Sequence, residues 1–292
     1  MNHLNGFSCF NPAGYYLTTQ NNAAGIHNGT IVSKSDNRLQ LATTAGHSVN
    51  FTELSDRYVS KICKQSEFTF YKERISNGLD TLIPHSLSNE KFDSLEPLER
   101  TRLDSTTSST KNTFIVMENL KNGLRTEMLF ELDIKIGYKS ASKQDLAEQK
   151  HPHPLLKRLR HRFLDTAYRS TTRGWRIEGI TINGQKVHHS KLRFAFSAKH
   201  FLQTFMDSLP TEKQKLILAK IKQVSDQLKD VPQDFIGSSI LITTDSTEKS
   251  ECKVHLIDFA HALPKNNKHG YSEVAKAASH LYEKLKTLIE NE

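Results

Sequence analysis

Asp133 and Lys135 stand two residues apart in the apolar run Leu132-Asp133-Ile134-Lys135-Ile136-Gly137. In an extended segment, residues i and i+2 point to one face, so this carboxylate and this ammonium look into the same place. Such a pair is either a solvated salt bridge on a strand or the lining of a cleft. A further acid, Asp258, follows the apolar stretch Val254-His255-Leu256-Ile257 and precedes Phe259. A carboxylate in that setting suits a hard divalent cation such as Mg2+. A further cation, Lys61, lies in Tyr58-Val59-Ser60-Lys61-Ile62-Cys63, with Glu67 six residues on. A cation for phosphate oxygens, a carboxylate for a metal ion and an acid–base pair are the parts that phosphoryl transfer uses. That reaction needs positioning and charge neutralisation more than covalent help.

These groups need strands and helices to hold them. Residues 1–25 are rich in Asn, Gly and Ala without periodicity and read as a loosely ordered lead-in. From Gly29 to Phe51 short β-prone runs flank Ala45-Gly46-His47-Ser48. A glycine there makes either an ordinary hairpin turn or a turn whose amides approach a phosphate. Tyr58–Cys63 reads as a strand. Ser66 is the expected N-cap of a helix running to about residue 79, with Phe70, Ile75 and Leu79 on its apolar face. Residues 86–112 form a polar connection, read as an insertion with one short helix, before the buried-strand candidate Thr113-Phe114-Ile115-Val116-Met117. Lys150–Leu164 reads as a basic helix with Leu155, Leu159 and Phe163 as its apolar stripe. Helices are expected near 198–208, 212–229 and 271–289, the last with Val274, Ala278, Leu281, Leu285 and Leu288 inward.

Composition excludes several classes. Hydrophobic residues make up 36% and charged residues 25%, as in a soluble globular chain, and no apolar run reaches the roughly 20 residues that span a bilayer. The N-terminus lacks a secretory pattern, and Cys9, Cys63 and Cys252 are too scattered for a disulfide framework or a zinc site, so a cytoplasmic, reducing setting is expected. His151-Pro152-His153 and His188-His189 lack a third ligand at metal spacing. The net charge of +8 is uneven: between Lys135 and Lys199 there are 15 Lys/Arg against 4 Asp/Glu, a net of +11, leaving −3 elsewhere. That field calls for an anionic partner, either a polyphosphorylated ligand or the surface of an anionic membrane. Sparse aromatic interleaving argues against nucleic acid.

Several stretches in order resemble the inositol polyphosphate kinase family: Ala45-Gly46-His47, Lys61 with Glu67 and Phe70-Tyr71, Met117-Glu118-Asn119-Leu120, Asp133-Ile134-Lys135-Ile136-Gly137, Ser170–Gly179, Phe235–Ile242 and Val254–His261. The family signature PxxxDxKxG departs at its first position, where Leu129 replaces proline. Ala260 after Asp258-Phe259 departs from the protein-kinase form and agrees with this family's; neither an H-R-D-x-x-x-x-N loop nor a GxGxxG loop is present. The resemblance implies ATP and Mg2+ as cofactors and an inositol polyphosphate as substrate. It implies Lys61, Gly46 and His47 at the ATP phosphates, backbone groups of Glu118 and Leu120 at adenine, and Asp258 on the metal, with Ser239 helping to position phosphate or metal. Lys135 would sit between the γ-phosphate and the substrate. Asp133 would serve either the ribose or the incoming hydroxyl. Lys139, Lys143, Lys150, Arg173 and Arg176 would supply substrate-phosphate contacts.

The fold implied is α+β and two-lobed: a small antiparallel β lobe with one helix over residues 26–117, and a larger α+β lobe over 118–292. The substrate region would lie near 138–180, nucleotide would sit between the lobes, and the protein would act as a monomer. The competing reading is a kinase-like fold without turnover that senses inositol phosphates or phosphoinositide headgroups.

Overall fold

The computed structural model describes residues 51–73, 79–87, 92, 94–107, 113–138, 170–187, 192, 195–231, 233–259, 262–264 and 272–290. One compact unit runs from Arg38 to Glu292; the other, Met1–Asn37, lies outside the described residues. So do the basic stretch 150–164, the paired histidines at 188 and 189, and the runs between 29 and 50. The architecture is α+β with antiparallel sheets.

Among the described residues the first sheet has three strands, in the order β1 (Phe51–Glu53), β2 (Tyr58–Cys63) and β3 (Thr113–Glu118). Its register pairs Lys61 with Phe51 on one side and Ile115 on the other. Helix α1 (Gln65–Lys72) follows β2 directly. It starts after extended Lys64 with no side-chain cap, so Ser66 falls inside the first turn and is not the N-cap the sequence suggests. It ends at Lys72, short of residue 79, where the Glu73 amide splits between the carbonyls of Thr69 and Phe70. Leu79 is fully buried through a separate turn in which the Leu82 amide bonds its carbonyl.

The polar connection is more than a linker. Helix α2 (Pro97–Thr107) has proline at its first position, and Glu99 reaches back to accept the Glu96 amide at 2.9 Å, half of a capping box. Glu99 also accepts the Ser55 hydroxyl at 2.5 Å, and Arg102 donates to the Leu54 carbonyl at 2.8 Å. Leu95 and Leu103 then join Leu54, Leu87 and Val116 in a small separate core.

The second sheet has five strands in the order β6 (Gln185–Lys186), β5 (Trp175–Ile182), β4 (Leu129–Ile136), β8 (Ser239–Asp245) and β9 (Lys253–Ile257). Phe130, Leu132, Ile134 and Ile136 on central β4 are all fully buried, and cross-strand Ile180, Ile240, Ile242 and Leu256 lie with them. Burying each such side chain contributes about 1.5–3 kcal/mol. That face packs on the helices α4 (Ala195–Asp207), α5 (Thr211–Asp230) and α6 (Glu273–Glu290). Val274, Ala278, Leu281, Leu285 and Leu288 of α6 turn inward as their helical spacing requires, and Ser272 caps the helix through the Ala275 amide. β7 (Gln233–Phe235) also pairs with β10 (Ala262–Pro264), antiparallel. Among the described residues no helix is long and apolar enough to cross a membrane.

A four-residue helix, α3 (Ser170–Arg173), leads into β5 through Gly174, whose φ is +75°. A Cβ there would stand 2.9 Å from both the Ala277 Cβ of α6 and the Tyr138 ring. Gly123, at φ +80°, faces open space. Gly123→Ala therefore has only the backbone penalty, about 1–2 kcal/mol. Gly174→Ala adds overpacking of about 1–3 kcal/mol. Urea titrations of the two variants should show the larger fall in stability for Gly174→Ala; equal falls would mean α6 yields freely.

Candidate active site

Lys61 projects from the middle strand of the first sheet and is 8% exposed. Glu67, in the first turn of α1, meets its Nζ at 2.7 Å, and Asp258, just beyond β9, meets the same Nζ at 2.7 Å. Burial works against the Lys61 charge, but Asp258 and Glu67 together outweigh it and hold the ammonium firmly protonated. Asp258 has φ +66°, a left-handed conformation that a non-glycine residue adopts at a cost. The next residue pins it there. Phe259 is fully buried, stacked on Phe70 at 4.2 Å and edge-on to Tyr71 and Phe235, while its amide reaches Glu67 at 3.4 Å.

The second sheet supplies the other half. Alternation along β4 turns Glu131, Asp133 and Lys135 away from the helices. Their cross-strand neighbours on β8 are Thr243, Leu241 and Ser239, and beyond these on β9 come Lys253, His255 and Ile257. Asp133 and Lys135 thus share a face, as their spacing predicts. Asp133 is buried, and its carboxyl rises to about 7. Burial is the main cause, with the Asp258 charge next; the Ser239 hydroxyl and Lys135 pull the other way, and Glu178 pushes up again. The Asp133 Oδ1 is buried without a hydrogen-bond partner among the described residues.

Sequence reasoning assigned no role to Glu178. A register shift between Asp133 and Ile134 leaves it as the extra residue of a β-bulge opposite β4. Its carboxylate takes the Arg176 guanidinium at 2.6 Å. Arg176 lies opposite Lys135, so it reaches this face, already held by an acid. Arg173 does not sit with it: its guanidinium lies over the ring of buried Trp175, which pairs with Ile136 on the helical face. Glu131 was likewise missed, though it stands two residues before Asp133 in the same strand phase; it pairs with Lys121 at 2.9 Å.

The connector after β3 is braced against this sheet. Lys253 donates to the Asn122 carbonyl at 3.4 Å, and the Arg125 amide donates to Asp245 at 3.1 Å. The Glu118 amide already donates to the His85 carbonyl at 2.8 Å, so of the two Glu118 backbone groups only its carbonyl suits a ligand. The Leu120 amide donates to no backbone carbonyl among the described residues. Gly46, His47, Lys139, Lys143 and Lys150 lie outside the described residues.

The donor set fits Mg2+ or a similar hard ion, although no cluster of three His, Cys, Asp or Glu side chains occurs among the described residues. The Asp258 side chain is 43% exposed, and the orphaned Asp133 oxygen belongs to the same charged neighbourhood. Mg2+ commonly takes one or two protein carboxylates and completes its shell with phosphates and water.

Solved structures share this fold. The chain matches the fold of the inositol phosphate multikinase Ipk2 of S. cerevisiae, solved in complex with ADP and Mn2+. The two are 18% identical, with a TM-score of 0.57 over 79% of this chain and 98% of that one. Another inositol phosphate multikinase structure is 15% identical, with a TM-score of 0.52 over 76% of this chain and 98% of the other. No curated protein matches the sequence. The family model described as inositol polyphosphate kinase matches residues 114–290, from β3 to the end of α6 and well over half of the 292 residues. The chain belongs to the inositol polyphosphate kinase family.

Proposed function

We propose that this protein transfers the γ-phosphoryl group of ATP to an inositol polyphosphate, using Mg2+. The observation that carries the reading is the Lys61 ammonium held at 2.7 Å by both Glu67 and Asp258. That triad sits where the three-stranded sheet meets the end of β9, and nucleotide between the two sheets would bring its phosphates there. The small lobe in this reading ends at Met117 and the large lobe takes 118–292.

Each residue then has a task. Lys61 holds the α- and β-phosphates, and Glu67 keeps its ammonium aimed. The Glu118 carbonyl and the Leu120 amide take the adenine edge, with Leu241 and Ile257, both half-buried, beneath it. Asp133 lies one row nearer the connector than Lys135, which favours the ribose hydroxyls over the incoming one. Asp258, with Ser239 close by, holds Mg2+, which when bound neutralises charge on the β- and γ-phosphates. Lys135 stands at the outer row, where its charge gains value as negative charge builds on the transferred group. Arg176, released in part from Glu178, can turn its fork to a substrate phosphate. Gly46 and His47 stay at the ATP phosphates, and Lys139, Lys143 and Lys150 at the substrate, by resemblance. As a new bond forms from the acceptor oxygen to the γ-phosphorus, the bond from that phosphorus to the β-phosphate oxygen breaks, the acceptor's proton is lost to water and ADP departs. The loose transition state asks little of a base.

A radiolabelled ATP assay across inositol tris- to hexakisphosphates should show transfer to at least one of them, abolished by a metal chelator. Lys135→Ala and Asp258→Asn should each lower kcat by roughly a thousandfold or more. Binding of inositol phosphates with no turnover by the wild-type protein would replace this reading with that of a sensor.

Asp133 predicts a pH effect of defined sign. Its folded value, about 7, exceeds the ordinary 3.8, so the folded state binds more protons between those limits. Its contribution to stability is complete below pH 3.8 and is lost as pH rises through 7. Asp133→Asn lacks that loss. The ligand-free variant should therefore melt above the wild type at pH 8 while binding ATP more weakly. A variant that melts lower at pH 8 would contradict the assignment of Asp133 as a buried acid with an unmet bond.

A further inference from the structure

We infer that Glu178 sets specificity for the acceptor: it keeps the Arg176 subsite for a ring that places a free hydroxyl beside a phosphate, and it disfavours a ring phosphorylated at both positions. This rests on the proposed inositol phosphate kinase activity and narrows its substrate class to inositol phosphates that retain a hydroxyl. Pairing across β4 and β5 sets Arg176 opposite Lys135 on the charged face. Two cations there suit phosphate oxygens. The same strand then adds an acid to that face, Glu178, as the extra residue of the bulge. Gly179, the partner of Asp133 across the strands, has no side chain, so Glu178 is the acid that β5 presents beside Asp133. Its charge is felt at the Asp133 carboxyl.

The acid is held in a defined place. Its Oε1 accepts from Arg176 Nε at 2.6 Å, and the Glu178 and Arg176 side chains are 23% and 15% exposed. A ligand can therefore reach the pair, yet water screens it less than at an open surface. A guanidinium carries five donors, so Arg176 can take a phosphate oxygen while Glu178 keeps Nε. The carboxylate itself only accepts. A ring hydroxyl beside it donates a bond, whereas a phosphate there brings like charge at close range. Selection against the wrong acceptor comes from that repulsion. Without it, the more heavily charged ring would bind tighter to this cationic face.

Calorimetric titrations without ATP separate this subsite from turnover. The probes are the inositol pentakisphosphate isomers, each with a single free hydroxyl, and inositol hexakisphosphate, with none. At least one pentakisphosphate should bind the wild-type protein about tenfold tighter than hexakisphosphate, since a hydrogen bond to a charged group is worth at least that factor. Glu178→Gln, which removes the charge and keeps an acceptor, should tighten hexakisphosphate about tenfold and move that pentakisphosphate by less than about threefold. Glu178→Asp should preserve the wild-type order, and Arg176→Gln should weaken both ligands by similar factors. The expected binding order without turnover would remove the kinase reading and leave the selectivity of Glu178 in place. Hexakisphosphate binding tightest to the wild-type protein overturns the inference, a result readable even if Glu178→Gln does not fold. So does an equal gain for both ligands in Glu178→Gln, the behaviour of a plain counter-ion to Arg176.

Discussion

The Lys61 ammonium is the interaction on which the rest depends. It is buried on β2, and a buried charge is tolerated only where partners satisfy it. Those partners come from α1 and from the residue after β9, 197 positions along the chain. The contact therefore joins the three-stranded sheet to the five-stranded one. Removing Glu67, itself 3% exposed at the side chain, would leave the buried ammonium to Asp258 alone. The left-handed backbone at Asp258 belongs to the same constraint. At this point the carboxylate meets Lys61 while the ring of the next residue packs in the aromatic cluster.

Strand β4 does for the large sheet what Lys61 does for the join. Its period of two divides a hydrophobic set from a charged set, and a slip of one residue would bury Asp133 and Lys135 among the helices. Pairing on both sides, with β5 and with β8, fixes that register. The bulge at Glu178 is a local exception that keeps the division intact. It lets β5 deliver Arg176 to the charged face with its own counter-ion while Trp175 stays in the core.

Much of this was legible in the sequence because period and residue type agree. The apolar spacing of α6, the alternation of β4 and the lysine–glutamate pair at 61 and 67 each carry a local signal that tertiary contacts reinforce. The failures have physical causes too. Ser66 has the chemistry of a cap, but the chain enters the helix two residues earlier, from extended Lys64. The one helix expected in the polar stretch 86–112 is present, but its seat is less legible: Leu95 and Leu103 are enough to place α2 on Leu54 and Val116. Glu178 was invisible because a bulge is a property of pairing between two strands. Nothing local shows that His85 folds back onto the Glu118 amide and leaves the carbonyl as that residue's open backbone group.

Charge is where chain order misled most. The window from Lys135 to Lys199, with its net of +11, looks like one field around one ligand. The folded chain separates its described members. Lys135 and Arg176 are paired across strands on one face, whereas Arg173, three residues before Arg176, stacks on Trp175 on the other. Side chains on opposite faces of one sheet meet different surroundings even when they are neighbours in sequence. Positive charge that cannot serve a single ligand is either solvated separately or answers to two.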